Sequence, residues 1–159
     1  MKQRLDIPTH IVPFWRSFVR SRAKDPTPGF LEAFHFDDNE KNADELGQLV
    51  LAGTKRATAS LVWSFEAKSA PMPGVGALSV VTNWAKTPLC VIETIQVDIV
   101  PFDEVPEEFA ATEGEGDGSL RYWREAHWEY FGRECERIGR ARDLKMPVVC
   151  ERFEVVFRG

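Results

Sequence analysis

Lys55 and Thr58 lie three residues apart in Gly53-Thr54-Lys55-Arg56-Ala57-Thr58, and together they offer an amine and a hydroxyl. A lysine whose proton affinity is lowered by partial burial can accept a hydroxyl proton, and the hydroxyl can then attack an acyl carbon. The plainer account of the hexamer is a solvated lysine in a turn. Glu93 is the third candidate. In the run from Leu89 to Val100, one row holds Val91, Glu93, Ile95, Val97 and Ile99, and the other holds Cys90, Ile92, Thr94, Gln96 and Asp98. The first row is the more uniformly apolar, so it is expected to face the core. A carboxylate there costs several kcal/mol unless it is paired or protonated. Either Glu93 forms a structural salt bridge to an arginine, or it floors a pocket, paired with Lys55 and tuned for proton transfer.

A second segment, Glu113-Gly114-Glu115-Gly116-Asp117-Gly118-Ser119, alternates carboxylates with glycines. Its backbone is free to fold tightly and turn carboxylates or amides inward. Calcium binding would need oxygen donors spaced over a longer stretch. Asp117 or Ser119 could cap the helix that follows, and the amides of that helix end could receive a phosphate or carbonyl oxygen. Within the helix, Leu120, Trp123, His127 and Phe131 share one face, which is most simply core. Trp84, at a probable loop tip, could stack on a base or edge the core.

These residues need elements to hold them. Thr9 to Arg22 reads as a helix with a stripe of Ile11, Phe14, Trp15, Phe18 and Val19. Asp25-Pro26-Thr27-Pro28-Gly29 breaks it, a short aromatic segment runs from Phe30 to Phe36, and Asp37-Asp38-Asn39 could cap the next helix. That helix carries Ala43, Leu46, Val50 and Leu51 and stops at Gly53. Strands are expected at Thr58 to Phe65, Ala77 to Asn83 and Leu89 to Val100. Two proline-led turns, the acidic loop and a helix from Leu120 to Ile138 come next. A final strand from Val148 to Phe157 changes phase near Glu151, which suggests a bulge. Helices gathered at the ends of a run of strands imply α+β architecture with a partly closed barrel.

A chain of 159 residues suits one sizeable core, and 43% hydrophobic with 28% charged residues is ordinary globular composition. The net charge of −5 argues against broad non-specific binding to nucleic-acid backbone but leaves room for a local groove or a nucleotide pocket. No run approaches the roughly 18 apolar residues of a membrane span. Met1-Lys2-Gln3-Arg4 leads into no signal-like core, so a cytoplasmic protein is expected. The three cysteines and three histidines are scattered without metal spacing. Neither a metal nor a cofactor is expected. Cys90 and Cys150 fall in apolar runs where a cysteine acts as a small hydrophobe.

The order of these segments is similar to that of the ASCH-domain family. The likeness runs from about residue 30 to the C-terminus, through Ala43 to Leu46, Leu49 to Thr58, Pro73 to Gly76, Cys90 to Thr94, Glu113 to Asp117, Tyr122-Trp123-Arg124 with His127, and Val149 to Phe153. It implies a PUA-like β-barrel flanked by helices, with residues 1–29 as a helical extension packed on a domain of 30–159. The family's G-x-K-x-x-T/S motif falls on Gly53, Lys55 and Thr58 at a cleft. Kinship to PUA domains implies RNA or a nucleotide as partner, and no DNA duplex. One branch hydrolyses the acetyl amide of acetylcytidine with a lysine, a threonine and a glutamate, which implies catalytic roles for Lys55, Thr58 and Glu93. Another branch is associated with ribonuclease activity. Arg56, Trp84, Ser119, Arg121 and Trp123 are the expected substrate contacts. The alternative is a non-catalytic RNA-binding module in which Lys55 and Arg56 hold phosphate. The N-terminal helix and the long acidic loop depart from the small amidohydrolases.

Overall fold

The computed structural model describes residues 7–159, so the reading of Met1 to Arg4 lies outside the described residues. Five helices accompany an open, mixed five-stranded sheet of order β1-β3-β4-β5-β2. The strands are β1 (Phe30–Phe34), β2 (Ala57–Leu61), β3 (Leu78–Thr82), β4 (Pro88–Pro101) and β5 (Pro147–Phe157). The helices are α1 (Val12–Arg20), α2 (Glu40–Leu51), α3 (Val62–Lys68), α4 (Glu107–Glu113) and α5 (Leu120–Arg137). The architecture is α+β, as the segment order implies. The described backbone groups into two compact units, the first built of residues 7–53, 75–95 and 153–159, the second of 54–74 and 96–152.

In the first unit, β1 runs parallel to β3, and β3 antiparallel to β4. Ile11, Trp15 and Phe18 of the α1 segment share a core with Phe30, Leu78, Val80 and Val91. The Trp15 indole N–H donates to Thr27 Oγ1 at 3.0 Å, tying the helix to the proline-rich turn after it. A second cluster gathers Phe36, Val50, Val81, Cys90, Ile92 and Phe153. Asn39 caps α2 by accepting from the Asn42 amide, and Gly53 closes that helix with φ +79°.

In the second unit, β2 and β5 pair antiparallel, and Ala57, Ala59 and Leu61 alternate into a core with Phe102, Phe109, Trp123, Phe131 and Val148. The expected strand from Thr58 to Phe65 ends at Leu61, because Val62 to Lys68 forms α3. So short an apolar run fits either state, and only packing decides it. The second of the two expected turns after Pro101 is α4, which buries Phe109 and Ala110. At seven residues it is too short for a periodic stripe. β5 shows no register shift against β2 at Glu151. Its phase change falls where the strand leaves the second unit for the first, so Val148 and Cys150 serve one core and Phe153 another.

β4 departs from the expected single buried row. Cys90, Val91 and Ile92 are all buried, whereas Ile95 and Ile99 are exposed. Both faces are therefore covered in the first half of the strand, and the apolar row is open beyond it.

Candidate functional site

Lys55 is 1% exposed. It sits just before β2, in phase with the buried row Ala57, Ala59 and Leu61, so its stem runs inward and its ammonium must find partners inside. Nζ donates to the Ala57 carbonyl at 2.6 Å, to Glu115 Oε1 at 2.9 Å and to Glu113 Oε2 at 3.2 Å. Glu113 is the last residue of α4 and is itself 1% exposed. Its other oxygen accepts the Trp123 indole N–H at 3.2 Å and lies 3.5 Å from His127 Nε2. His127 Nδ1 donates to the Trp123 carbonyl at 2.8 Å, and the two rings stack with centroids 4.2 Å apart. A cation, two carboxylates and an imidazole thus converge in the second unit.

The loop from Gly114 to Ser119 closes over this cluster, and its glycines are required. Gly114 has φ +66°, and a Cβ there would lie 2.2 Å from the Thr54 carbonyl oxygen. Gly116 has φ +56°, and its Cβ would lie within 2.6 Å of the Tyr122 ring. At the end of the loop the Asp117 carboxylate accepts the Ser119 amide, and the Ser119 hydroxyl accepts the Tyr122 amide. The first turn of α5 is therefore capped, with Asp117 supplying the negative charge its dipole favours.

Burial disfavours the Lys55 ammonium, but the facing carboxylates of Glu113 and Glu115 outweigh it and raise its proton affinity above the ordinary lysine value. This corrects the expectation that burial lowers it. Burial likewise disfavours ionised Glu113, yet Lys55 and His127 hold its carboxyl well below the usual range. For Glu115 burial prevails, helped by repulsion from Glu113, and its pKa is raised. Burial lowers the proton affinity of His127, and Glu113 more than restores it. The cluster separates its two carboxyls, with Glu113 held ionised and Glu115 the readier to take a proton.

Thr58 lies opposite Glu151 on β5, half-buried, on the face of β2 away from Ala57, Ala59 and Leu61. The row that Lys55 continues lies on the opposite face. Glu93 is half-buried opposite Leu78 in the first unit; the carboxylates on Lys55 are Glu113 and Glu115. Trp84 belongs to the first unit, 40% exposed, with its ring 4.9 Å from that of His35. Arg56 is exposed and anchored by its amide to the Thr112 carbonyl, and Arg121 is exposed beside Glu125. Trp123 is 2% exposed, with its N–H committed to Glu113, so it positions a carboxylate and does not face solvent.

Sequence reasoning missed Glu113, Glu115 and His127 as partners of Lys55. The available signal was His127, a titratable residue on the buried face of α5. Ligand atoms of these three residues lie within 4.8 Å of one another, a spacing that could hold a metal ion. One oxygen of each carboxylate, Glu113 Oε2 and Glu115 Oε1, already accepts from the Lys55 ammonium. Burial pushes the thiols of Cys90 and Cys150 up to about 12, and both are packed as hydrophobes.

The model of the ASCH domain matches residues 32–157. The chain belongs to the ASCH domain family. A crystal structure of an ASCH domain from Lactobacillus crispatus JV V101 is 38% identical, with TM-score 0.89, over 96% of this chain and 97% of that one. A protein from Enterococcus faecalis V583 is 29% identical with TM-score 0.82, over 94% and 89% of the respective chains. No match was found among curated proteins. As an ASCH domain the chain has a PUA-like fold, which is generally linked to RNA binding. None of the helices among the described residues is long and apolar enough to cross a membrane.

Proposed function

We propose that this ASCH domain recognises RNA or a nucleotide derivative through the surface around the loop from Gly114 to Ser119, with the Lys55 cluster as its rigid support. The observation that carries this reading is the convergence of Lys55, Glu113, Glu115 and His127 beneath a glycine-rich loop. Such a cluster is costly to bury, and clusters of perturbed titratable groups concentrate at functional sites. Lys55 acts as a fixed cation that positions the loop. Exposed Arg56 and Arg121 supply phosphate contacts, and Ser119 and Thr58 supply hydroxyls.

A second reading, hydrolysis of an acyl amide on a modified nucleoside such as acetylcytidine, is favoured by Glu115. Its side chain is 16% exposed, it touches Lys55, and its proton affinity is raised. In this reading water attacks the acyl carbon, Glu115 passes the water's proton to the leaving amine as the C–N bond breaks, and Lys55 remains charged and holds Glu115 in place.

One set of measurements separates the readings. Fluorescence anisotropy with short RNAs and mononucleotides, at two salt concentrations, is run beside turnover of acetylcytidine and an RNA cleavage assay. The binding reading expects salt-dependent affinity that falls about tenfold on Arg56→Ala or Arg121→Ala, with no turnover. Turnover abolished by Glu115→Gln supports the hydrolase. Absence of both binding and turnover overturns the proposal.

A further inference from the structure

The first unit holds a cleft of about 590 Å³, where the turn after α1 faces the sheet at Leu78 and Glu93. Leu78 and Glu93 are directly opposite each other on antiparallel β3 and β4, so their side chains stand together on one face. Leu78 is buried, and Val91, one step back in the same row as Glu93, belongs to the core beneath. Glu93 is where that row leaves the core and meets the cleft. Its half-buried carboxylate has neither an ion pair nor a hydrogen bond among the described residues. Exposed Arg22 and Lys24 line the same cleft, and their side chains likewise have no ion pair or hydrogen bond there. The Arg22 guanidinium instead rests over the Phe18 ring, 5.3 Å from its centroid. Gly29 packs closely against the sheet here, since a Cβ at this position would lie 3.2 Å from the Leu78 side chain.

A half-buried carboxylate without a partner is free to accept donors from a ligand. At the rim, Arg22 and Lys24 outnumber the carboxylate of Asp25, which already accepts the Thr27 amide, so the rim favours an anion on the same ligand. The volume falls in the range of small-molecule sites and exceeds what one amino acid needs. Among the bases, guanine alone presents two adjacent N–H donors on its Watson–Crick edge, at N1 and N2, matching the two oxygens of a carboxylate. Adenine and cytosine place a ring acceptor beside the amino group, which a carboxylate repels. The exposed ring of Pro28 offers apolar surface to the base.

We propose that this cleft binds guanosine carrying a phosphate, with Glu93 on the base edge and Arg22 and Lys24 on the phosphate, at a site separate from the Lys55 cluster. The test is isothermal titration of the full chain with GMP, AMP, CMP and guanosine, and amide NMR to locate the ligand. GMP is expected to bind about tenfold or more tightly than AMP, with shifts at Ser21 to Gly29, Leu78 and Glu93. The isosteric Glu93→Gln variant is expected to lose that preference. The Arg22→Ala/Lys24→Ala variant is expected to bring GMP down to the affinity of guanosine. All three positions reach solvent or the cleft, and a retained circular dichroism spectrum shows that a variant folds. A 5′-phosphorylated pGpUpU binding more tightly than GMP assigns the site to an RNA end, and the reverse assigns it to the free nucleotide. Undetectable GMP binding overturns the proposal. So does GMP preference undiminished in Glu93→Gln, or shifts confined to the loop from Gly114 to Ser119.

Discussion

Replacing Lys55 with methionine keeps most of the apolar stem and removes the ammonium with its hydrogen bonds to Ala57, Glu113 and Glu115. Glu113 is then left 1% exposed and ionised, with the Trp123 N–H and His127 as its remaining partners. Breaking a buried pair by removing one member costs about 3–5 kcal/mol. The two surviving contacts, and protonation of Glu115 in response, place the expected loss near the lower end, about 3 kcal/mol. At about 2–4 °C per kcal/mol for a chain of this length, the melting temperature should fall by roughly 6–12 °C. The double variant Lys55→Met/Glu113→Gln removes both charges and should lie within about 1 kcal/mol of wild type, since replacing a whole buried pair is close to neutral. The double variant is thus expected to be about 2 kcal/mol more stable than Lys55→Met, and the coupling energy is larger than that by whatever Glu113→Gln costs alone. Urea unfolding of the four proteins, followed by tryptophan fluorescence, measures the cycle. A loss below about 1 kcal/mol in Lys55→Met, or a double variant no more stable than that single one, would refute the electrostatic account of the cluster.

Two further predictions bear on the same cluster. Because Glu113 raises the proton affinity of His127, the stability His127 contributes is fully present below its ordinary pKa of 6.5 and is lost as the pH rises through its higher folded value. Imidazole NMR should place the wild-type titration above 6.5 and the Glu113→Gln titration lower, and equal values in both proteins would remove Glu113 as the cause. The loop glycines should rank in sensitivity to alanine. Gly114→Ala meets backbone and should cost most, Gly116→Ala next, and Gly118→Ala, with φ +75° and open space around it, only the left-handed penalty of about 1–2 kcal/mol. Thermal melts of the three variants test the order, and Gly118→Ala as the most damaging would contradict it.

The parts of this molecule that were legible in the sequence are those set by local periodicity. The stripe in α1, the caps at Asn39 and Ser119, the stop at Gly53 and the buried face of α5 all follow from neighbours a few residues apart. The length of β2 was not legible, because Val62 to Phe65 is apolar in either state and packing chooses the helix. Nor were the partners of Lys55. Glu113 is 58 positions away in the chain, and no spacing rule connects the end of α4 to the entry of β2. Glu93 drew attention as a carboxylate in an apolar row, and that physical signal was sound about its partial burial. It said nothing of which cleft the residue would line.

The charge on Lys55 decides how its motif is to be understood. A general base must spend time unprotonated near neutral pH, and two carboxylates within 3.2 Å of the ammonium oppose that state more strongly than burial favours it. An apolar pair of the same size would stabilise the fold about as well as this buried ion pair, so stability alone does not account for it. What an apolar pair would not do is fix the direction of the chain on either side. Nζ binds the Ala57 carbonyl at the start of β2, the end of α4 through Glu113 and the loop through Glu115, and Glu113 in turn binds two side chains of α5. Removing the cation therefore releases the loop from Gly114 to Ser119 from its anchor. On the proposed reading the lysine of the G-x-K-x-x-T segment shapes the surface that would meet a ligand, and any proton transferred there would belong to Glu115, the member of the cluster that reaches solvent.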